Sequence, residues 1–517
     1  MTSRLLLAMA LAAAPLSGQG APPFVVEETT IADIHDAMRR GTLSCRQLVA
    51  AYLRRIDAYD KNGPAINAIV HVHPQALATA DSLDRRRARE GFVGPLHCVP
   101  IIVKDNFETY DLPTSAGSLA LRDWRPNRDA TMVQRVRAAG AIVIAKSNMA
   151  EWAFSPVETV SSILPGYTRN PYALDRVTAG SSGGTAASVA ANFGAVGLGT
   201  DTGNSIRGPS AHQALVGMRS TMGLTSRTGV VPLFLSQDIA GPMTRTVADN
   251  AAVFQVIVGE DPADPATAAA RGRRVPTYAD SLSRDGLRGA RIGVLRVAYE
   301  TATLDPEVAR VFDRAVRDVR ALGATVIDTV IIPGLDSIRR LQSGGGCSPF
   351  RQDLEAYLAS VASANPPVKT VEEIVRSGRF HPSVQGRLEA ARTAPAVADT
   401  TAGCRGREAY RAALRTLVLQ RMDALRLDAL AYPTWSNPPR KIGDLNTPAG
   451  DNSQVFSPST GFPAITVPMG YTRGELPAGL QLLGRPWSEG TLYRLAYAYE
   501  QGTRHRHAPA SAPPLLP

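Results

Sequence analysis

Two glycine-rich turns, each carrying a serine, stand close together in the segment GSSGGTAASVAANFGAVGLGTDTGNSIRGP at Gly180–Pro209. The small residues between the turns predict a helix over Gly183–Asn192 and then a strand over Gly194–Gly199. Glycine has no Cβ, so backbone N–H groups beside these serines can approach a substrate closely. The segment therefore predicts an α/β unit that presents two serine turns together, as the floor of a catalytic site would.

A serine hydroxyl is a poor nucleophile unless a base takes its proton and donors stabilise the oxyanion that follows. The segment PLHCVPIIVKDN, Pro95–Asn106, predicts a buried strand with Lys104 at its end. Desolvation of an amine that leaves an apolar strand disfavours the ammonium form, so Lys104 could act as a base near pH 7. Taken alone, these residues favour the other interpretation, a surface lysine that caps the strand and pairs with Asp105.

The other candidate base is His212, which follows Ser205 by a few positions in a segment that predicts the start of a helix packed on the core. We interpret this histidine as structural. The remaining histidines have no HExxH spacing, and the four cysteines form no CxxC pair. GSSGGTAAS also lacks the lysine that a P-loop requires. The sequence therefore predicts no metal, no cofactor and no nucleotide site.

The ordered set of motifs resembles the amidase signature family. KDN at Lys104–Asn106, GSSGG at Gly180–Gly184 and GTDTGNSIR at Gly199–Arg207 match the family in order and spacing. Flanking matches extend from TSAGS at Thr114–Ser118 to PAGLQLLGRPWSE at Pro477–Glu489, so the resemblance covers most of the chain after about residue 25. It implies an α/β fold with a layered, mixed β-sheet core flanked by helices.

The resemblance also implies a role for each matched residue. Ser205 would be the nucleophile, Ser181 would follow a cis peptide bond and pass the proton, and Lys104 would be the terminal base. The oxyanion hole would consist of the backbone N–H groups of Thr202, Gly203, Asn204 and Ser205. Three further residues would support the site: Ser182 behind Ser181, and Asp201 and Arg207 beside the loop.

Two positions depart from the family's usual pattern. Asn204 stands directly before the nucleophile, where the family usually has Gly, so its side chain would either narrow the approach or add a hydrogen bond near the oxyanion hole. Cys98 also replaces a common Gly, and we interpret it as a packing change because Cys is small and often buried. Neither departure removes a catalytic group, but Asn204 bears on the substrate range.

The first residues predict the compartment. Met1–Arg4 is a short positive start, Leu5–Leu16 is an apolar run too short to span a bilayer, and small residues follow. This pattern predicts a signal peptide over residues 1–20 and export to the periplasm or outside the cell. The alternative is a disordered start on a cytosolic enzyme. Export would argue against the transamidosome subunit of the family, which works on tRNA in the cytosol.

Charge and hydropathy exclude two classes of partner. The formal charge is +10, but the arginines are dispersed, and the dense run Asp84–Glu90 is interpreted as a solvated helix face rather than a nucleic-acid site. No other segment has the uncharged apolar length of a membrane helix. The expected partner is a small-molecule or peptide amide substrate, and the sequence does not predict an oligomeric state.

Alternating strands and helices predict one amidase signature domain over residues 25–510, with a mostly helical insertion over 333–427 that caps the active-site mouth and selects the substrate. Candidate apolar wall residues are Leu354, Tyr357, Leu358, Trp435 and Phe456, although residue type alone favours ordinary core packing for each of them. Cys347 and Cys404 lie in loop-like contexts of this region, where either a disulfide or buried free thiols are expected.

The leading hypothesis is a secreted serine amidohydrolase that cleaves a linear amide C–N bond. SAGSLAL at Ser115–Leu121 and the signal peptide look closest to the peptide amidase branch, which removes C-terminal amides from peptides. An esterase, carbamate hydrolase or aryl-amide hydrolase with the same triad is the alternative, since one acyl-transfer site can serve all of them. A non-catalytic binding protein of the same fold is disfavoured because Lys104, Ser181 and Ser205 are all present.

Overall fold

The computed structural model describes residues 24–342 and 346–515, so the predicted signal peptide over residues 1–20 lies outside the described residues. Thirteen strands lie in this part of the chain. They are β1 (Ile69–Val72), β2 (Pro100–Lys104), β3 (Ile142–Ser147), β4 (Arg169–Asn170), β5 (Ala173–Val177), β6 (Val196–Asp201), β7 (Val216–Arg219), β8 (Ile239–Thr244), β9 (Arg291–Val294), β10 (Thr325–Ile327), β11 (Ala429–Pro433), β12 (Ala464–Thr472) and β13 (Leu476–Leu483).

The α-helices of the described residues alternate with these strands in the first two thirds of the chain. They are α1 (Ile31–Arg39), α2 (Cys45–Ile56), α3 (Ala76–Glu90), α4 (Thr131–Ala138), α5 (Gly183–Ala190), α6 (Arg207–Ala211), α7 (Val247–Ile257), α8 (Pro306–Ala321), α9 (Leu335–Arg339), α10 (Phe350–Ser360), α11 (Val371–Ser377), α12 (Gln385–Thr393), α13 (Ala402–Ala424), α14 (Phe456–Thr460) and α15 (Glu489–Thr503). No helix within the described ranges is both long and apolar enough to cross a membrane.

Eleven strands form one sheet in the order β1-β3-β2-β6-β8-β7-β12-β13-β11-β9-β10, and β4 pairs with β5 separately. The β3, β2 and β6 strands run parallel, as do β11, β9 and β10, whereas the strands between these groups are antiparallel. Helices flank the sheet. The predicted α/β fold with a layered mixed sheet is confirmed.

The small residues of α5 are explained by its packing against the sheet. A Cβ on Gly197 of β6 would lie 2.5 Å from Thr185 Cγ2 of the helix, and one on Gly184 would lie 2.2 Å from the Asn148 carbonyl oxygen. Backbone and side chains approach too closely here for anything larger than glycine. This close packing holds α5 against β6 and against the residue that follows β3.

The apolar periodicity of Ile31–Asp60 predicts one amphipathic helix over this N-terminal region, and the structure differs. The structure has two helices, each opened by a capping box: Thr30 with Asp33 for α1, and Ser44 with Gln47 for α2. Each capping side chain satisfies a backbone N–H that has no partner inside the helix, which sets a new helix start. The residue types of both capping boxes are present in the sequence, but the continuous apolar periodicity favoured a single helix.

The region predicted as an insertion is mostly helical, with α9 to α13 between residues 335 and 424. Leu354, Tyr357 and Leu358 pack with Trp152 and other buried side chains in an apolar cluster separate from the main core. Phe456, by contrast, belongs to the main core, and Trp435 packs with Ala179 and Ala211. The boundaries of the domain and the capping role stay predictions.

All four cysteines are paired. Cys347 and Cys404 form a disulfide with a Cα–Cα distance of 4.6 Å, which selects the disulfide over buried thiols. Cys98, interpreted above as a packing change, is bonded to Cys45 of α2 with a Cα–Cα distance of 5.4 Å. Its backbone has φ +60°, a left-handed conformation that suits the glycine usual in the family.

Candidate active site

The site lies where two adjacent parallel strands end. Ile101 of β2 pairs with Val196 of β6, and the paired strands deliver Lys104 and Asp201 to the same edge of the sheet. The turn that precedes α5 carries Ser181 to this edge, and the loop after β6 carries Ser205. Carboxyl ends of neighbouring parallel strands are a common location for binding sites in α/β sheets.

Lys104 and Ser181 are in direct contact. Lys104 Nζ donates to Ser181 Oγ at 2.7 Å and to Thr200 Oγ1 at 2.6 Å, and Lys104 has no exposed surface. The surface-lysine alternative is therefore wrong. Asp105 does not pair with Lys104 but forms a fully buried ion pair with Lys146, 3.2 Å between Nζ and Oδ1.

Burial lowers the pKa of Lys104 to about 7, although the nearby carboxylates of Asp238 and Asp201 oppose the shift. Removing an ammonium from water is costly, and the two carboxylates offset only part of that cost. A substantial fraction of Lys104 is then neutral at neutral pH. The amine can accept a proton from the Ser181 hydroxyl that it contacts.

Ser181 follows a cis peptide bond, Gly180–Ser181. A Cβ on Gly180 would lie 2.5 Å from the carbonyl oxygens of both Ser155 and Glu158, so only glycine fits this turn. The Gly180 N–H donates to the Pro156 carbonyl oxygen at 2.8 Å. The segment around Pro156 thus holds the serine turn in place.

The Ser205 hydroxyl is hydrogen-bonded to its neighbour in the chain and not to Ser181. It donates to Asn204 Oδ1 at 3.3 Å, and no hydrogen bond joins it to Ser181 within the described residues. The structure therefore contains one half of the predicted relay, between Lys104 and Ser181. The second half requires the Ser205 hydroxyl to change its acceptor.

The loop that carries Ser205 is held by a buried charge network. Asp201 accepts from the guanidinium groups of Arg207 and Arg219, and its Oδ2 also accepts the backbone N–H of Ile206 at 3.2 Å. Burial alone would raise the pKa of Asp201, but the two arginines hold it at about 2. Arg207 also donates to the Gly203 carbonyl oxygen at 2.7 Å, so the same arginine holds the loop at a second point.

Three of the four backbone donors predicted for an oxyanion hole are available. The N–H groups of Gly203, Asn204 and Ser205 have no protein acceptor within the residues that the structure covers. Thr202, the first residue of the loop, donates its hydroxyl to Asp238 Oδ1 at 2.5 Å. Since buried N–H groups normally have a partner, three adjacent ones without a protein acceptor suit a substrate oxygen.

Ser182, predicted to support Ser181 from behind, is hydrogen-bonded to strand β6. Its hydroxyl donates to the Thr200 carbonyl oxygen at 3.1 Å and accepts the Thr200 N–H at 3.3 Å. Ser182 therefore ties the serine turn to β6 and has no hydrogen bond to Ser181 among the described contacts. Its support of the site is indirect, through the strand.

His212 belongs to the core. It follows the last residue of α6 rather than starting a helix, stacks on Trp435 with 4.5 Å between ring centroids, and its Nε2 lies 3.3 Å from the Asn437 carbonyl oxygen. Burial lowers the pKa of His212 to about 3. The ring is neutral, and no described contact links it to Ser205.

Sequence reasoning missed three residues that shape the site. Thr200 is the second acceptor of Lys104, Arg219 is the second cation on Asp201, and Asp238 accepts from Thr202 and from the backbone N–H groups of two loop residues. Thr200 lies inside the motif at Gly199–Arg207, and Asp238 lies inside SQDIAGPMTRTVAD at Ser236–Asp249, another segment that resembles the family, so both were within matched segments but had no assigned role. Arg219 has no local signal, because its partner is 18 residues away along the chain.

Among the described residues, one group of three side chains has its potential metal-ligand atoms within 4.8 Å of one another: Cys45, His97 and Cys98. The two sulfurs are bonded to each other, and His97 Nδ1 accepts the Val93 N–H at 3.3 Å. The proton of the neutral ring therefore lies on Nε2, the nitrogen that faces Cys45. This arrangement does not suit a metal ion.

Comparison with known proteins gives one consistent answer. The family model described as Amidase matches residues 47–493. The native peptide amidase from Stenotrophomonas maltophilia is 38% identical with a TM-score of 0.84, and the match covers 93% of this chain and 98% of that one. An amidase family protein from Bacillus anthracis is 30% identical with a TM-score of 0.81, over 94% of this chain and 92% of that one. A glutamyl-tRNA(Gln) amidotransferase subunit of Moorella thermoacetica is 36% identical over 502 residues, 93% of this chain and 98% of the relative. The chain therefore belongs to the amidase signature family of amide C–N hydrolases.

Proposed function

We propose that this chain is a serine amidohydrolase that cleaves linear amides through a Ser205 acyl-enzyme, with Ser181 as the proton bridge and Lys104 as the base. The observation that carries the proposal is the buried Lys104 amine within 2.7 Å of Ser181 Oγ. A desolvated amine in contact with a hydroxyl is the arrangement that general-base catalysis needs near neutral pH.

Acylation begins when neutral Lys104 takes the Ser181 proton while Ser181 takes the Ser205 proton. Ser205 Oγ forms a bond to the amide carbon, and the carbonyl electron pair moves onto oxygen. The backbone N–H groups of Gly203, Asn204 and Ser205 receive this oxyanion, each donor being worth about 3 kcal/mol at such sites. The C=O bond then re-forms, the C–N bond breaks, and the relay returns its proton to the leaving amine.

Deacylation reverses the relay with water in place of Ser205. The Ser181 hydroxyl and the Lys104 amine remove a proton from the attacking water, and a second tetrahedral oxyanion forms at the same donors. Collapse breaks the ester bond to Ser205 Oγ and returns the proton to it. The products are a carboxylic acid and the free enzyme, so the cycle consumes one water for each amide.

A peptide C-terminal amide is the substrate class that we favour. The solved peptide amidase covers 93% of this chain at 38% identity, and the SAGSLAL segment at Ser115–Leu121 contributes to the apolar cluster beside the site. The relatives named as amidotransferase subunits make transfer of an amide nitrogen the alternative to hydrolysis. Both reactions break an amide C–N bond, so the same site chemistry serves either one.

Export is also part of the proposal. Its support is the sequence pattern of Met1–Arg4 followed by the apolar run Leu5–Leu16. Expression of the full chain in a bacterial host, followed by N-terminal sequencing of protein from the periplasmic fraction, tests it. A mature protein that starts near residue 21 is expected, and a full-length protein confined to the cytosol would contradict export.

The hydrolytic proposal is tested with peptide amides, anilides, esters and free glutamine, together with a fluorophosphonate probe. We expect primary peptide amides to be hydrolysed fastest and the probe to label Ser205. Ser205→Ala should lose both activities with the same melting temperature. Ser188→Ala is the matched control, because Ser188 is equally buried but donates only to Gly184 within α5. Full turnover by Ser205→Ala would refute the assignment.

A further inference from the structure

The side chain directly before the nucleophile makes two hydrogen bonds that share one carboxamide. Asn204 Nδ2 donates to the Pro156 carbonyl oxygen at 3.1 Å, and Asn204 Oδ1 accepts from Ser205 Oγ at 3.3 Å. The residue is 1% exposed, so water does not compete for either bond. Where the family usually has glycine, this chain has placed a hydrogen-bonding group against its own nucleophile.

The neighbours of Asn204 fix which way its carboxamide points. The Pro156 carbonyl can only accept, so the atom facing it must be the NH2 group, and the oxygen is left to face Ser205. A Cβ built on Gly208 would lie 2.7 Å from Asn204 Nδ2 and 3.0 Å from the Trp435 ring, so the amide is packed tightly on that side. The carboxamide therefore has one orientation, with its oxygen as an acceptor for the nucleophile.

A serine hydroxyl has one proton to donate. While that proton is directed at Asn204 Oδ1, it is not directed at Ser181, and the described contacts show no bond between the two serines. Lys104 and Ser181 are meanwhile already in contact. The relay lacks only the hydrogen bond from Ser205 to Ser181, and Asn204 competes with Ser181 as the acceptor of the Ser205 proton.

We propose that Asn204 is a positioning residue that holds the Ser205 hydroxyl in a resting orientation, from which it must turn to Ser181 before it can attack. This inference rests on the proposed function, since it assigns Ser205 as the nucleophile and Ser181 as its acceptor. Asn204 lowers the fraction of free enzyme in which the Ser205 hydroxyl is hydrogen-bonded to Ser181. Its removal should raise reactivity rather than lower it.

Asn204→Ala and Asn204→Gly test the inference because both remove the acceptor, and glycine restores the usual family residue. We expect fluorophosphonate labelling of Ser205 and kcat/KM for a peptide amide to rise about three- to tenfold, the range that corresponds to one net hydrogen bond. Asn437→Ala is the control: it removes another buried asparagine, near His212, and should leave the labelling rate unchanged. Melting temperatures of all variants establish that they are folded.

A purely structural role for Asn204, as a tether between the Ser205 loop and Pro156, gives the opposite result. Labelling by the alanine and glycine variants would then be equal to or slower than wild type, and this outcome overturns the proposal. A crystal structure of unliganded Asn204→Ala provides a readout that needs no activity. Ser205 Oγ within hydrogen-bond distance of Ser181 Oγ supports the proposal, and a hydroxyl still directed elsewhere refutes it. A wild-type protein without any labelling at Ser205 would instead remove the proposed function, while the crystal structure would still decide the orientation.

Discussion

Replacing Lys104 with methionine should abolish hydrolysis and at the same time stabilise the fold. The amine is fully buried and its pKa falls from 10.5 to about 7 on folding. Methionine keeps the length and most of the volume but has no charge to desolvate. Loss of activity follows from loss of the base, whereas the gain in stability follows from the same pKa shift that makes the base effective.

The magnitude follows from proton linkage. Between pH 7 and 10.5 the unfolded chain holds the Lys104 proton and the folded chain does not, so the wild-type free energy of unfolding rises with pH in this window. At pH 7 the lowered pKa costs the fold about 4 kcal/mol. Loss of the hydrogen bonds to Ser181 and Thr200, each worth about 1 kcal/mol, leaves a net gain of roughly 2 kcal/mol for the variant.

The pH dependence of this gain is the sharper observable, because lost hydrogen bonds and packing cancel between two pH values. The advantage of Lys104→Met should shrink by about 2 kcal/mol from pH 7 to pH 9 and stay level below pH 7. Urea unfolding of both proteins, followed by tryptophan fluorescence and checked for reversibility, measures it. The control is Lys369→Met, which removes an exposed lysine with no desolvation to relieve.

A stability difference that stays constant between pH 7 and pH 9 would refute the reasoning. It would mean that Lys104 keeps its ammonium charge in the folded protein throughout this range. The amine could not then receive the Ser181 proton at neutral pH, and another base would have to drive the relay.

Four further results are expected. The acylation rate should rise with pH through a midpoint near 7 as Lys104 loses its proton. Asp238→Asn should move that midpoint to lower pH, because it removes a carboxylate that favours the ammonium form of Lys104. Stopped-flow rates across pH 5.5–9 measure both. Ser181→Ala should slow fluorophosphonate labelling by about 10²- to 10⁴-fold with an unchanged circular dichroism spectrum, and labelling within a few-fold of wild type would mean that the base acts without this bridge. Arg219→Leu leaves the buried Asp201 with one arginine and should cost about 3 kcal/mol of stability, which thermal unfolding would reveal as a clearly lower midpoint.

Local patterns in the sequence indicated where the candidate site lies because the constraints that they encode are themselves local. An apolar run that ends in a lysine predicts an amine at the end of a strand, and β2 does end at Lys104, whose burial only the structure decided. Glycines at Gly180 and Gly184 predict close backbone approach, and each faces a carbonyl oxygen at a distance that no Cβ could tolerate. The exact start of the element was less accurate, since the apolar run begins at Val99 and strand β2 begins at Pro100.

Partnerships between distant segments could not be predicted in the same way. Cys45 and Cys98 carry no spacing signal, and their pairing depends on α2 packing against the turn before β2. Arg219 reaches Asp201 because the strands order as β6-β8-β7, which brings the end of β7 close to the end of β6. Sheet order is set by long-range packing, and a single sequence contains no direct record of it.

The sequence by itself determined the family and the α/β architecture, and it singled out Lys104, Ser181 and Ser205 as the candidate catalytic residues, because each follows from residue type and order along the chain. Only the tertiary structure decided how these groups are directed. It showed Lys104 on Ser181 and Thr200, and it showed Ser205 on Asn204 instead of Ser181. The physical reason is that a hydrogen bond depends on distance and angle between side chains, and these are set by the packing of Pro156, Gly208 and Trp435 around the loop rather than by the loop's own residues.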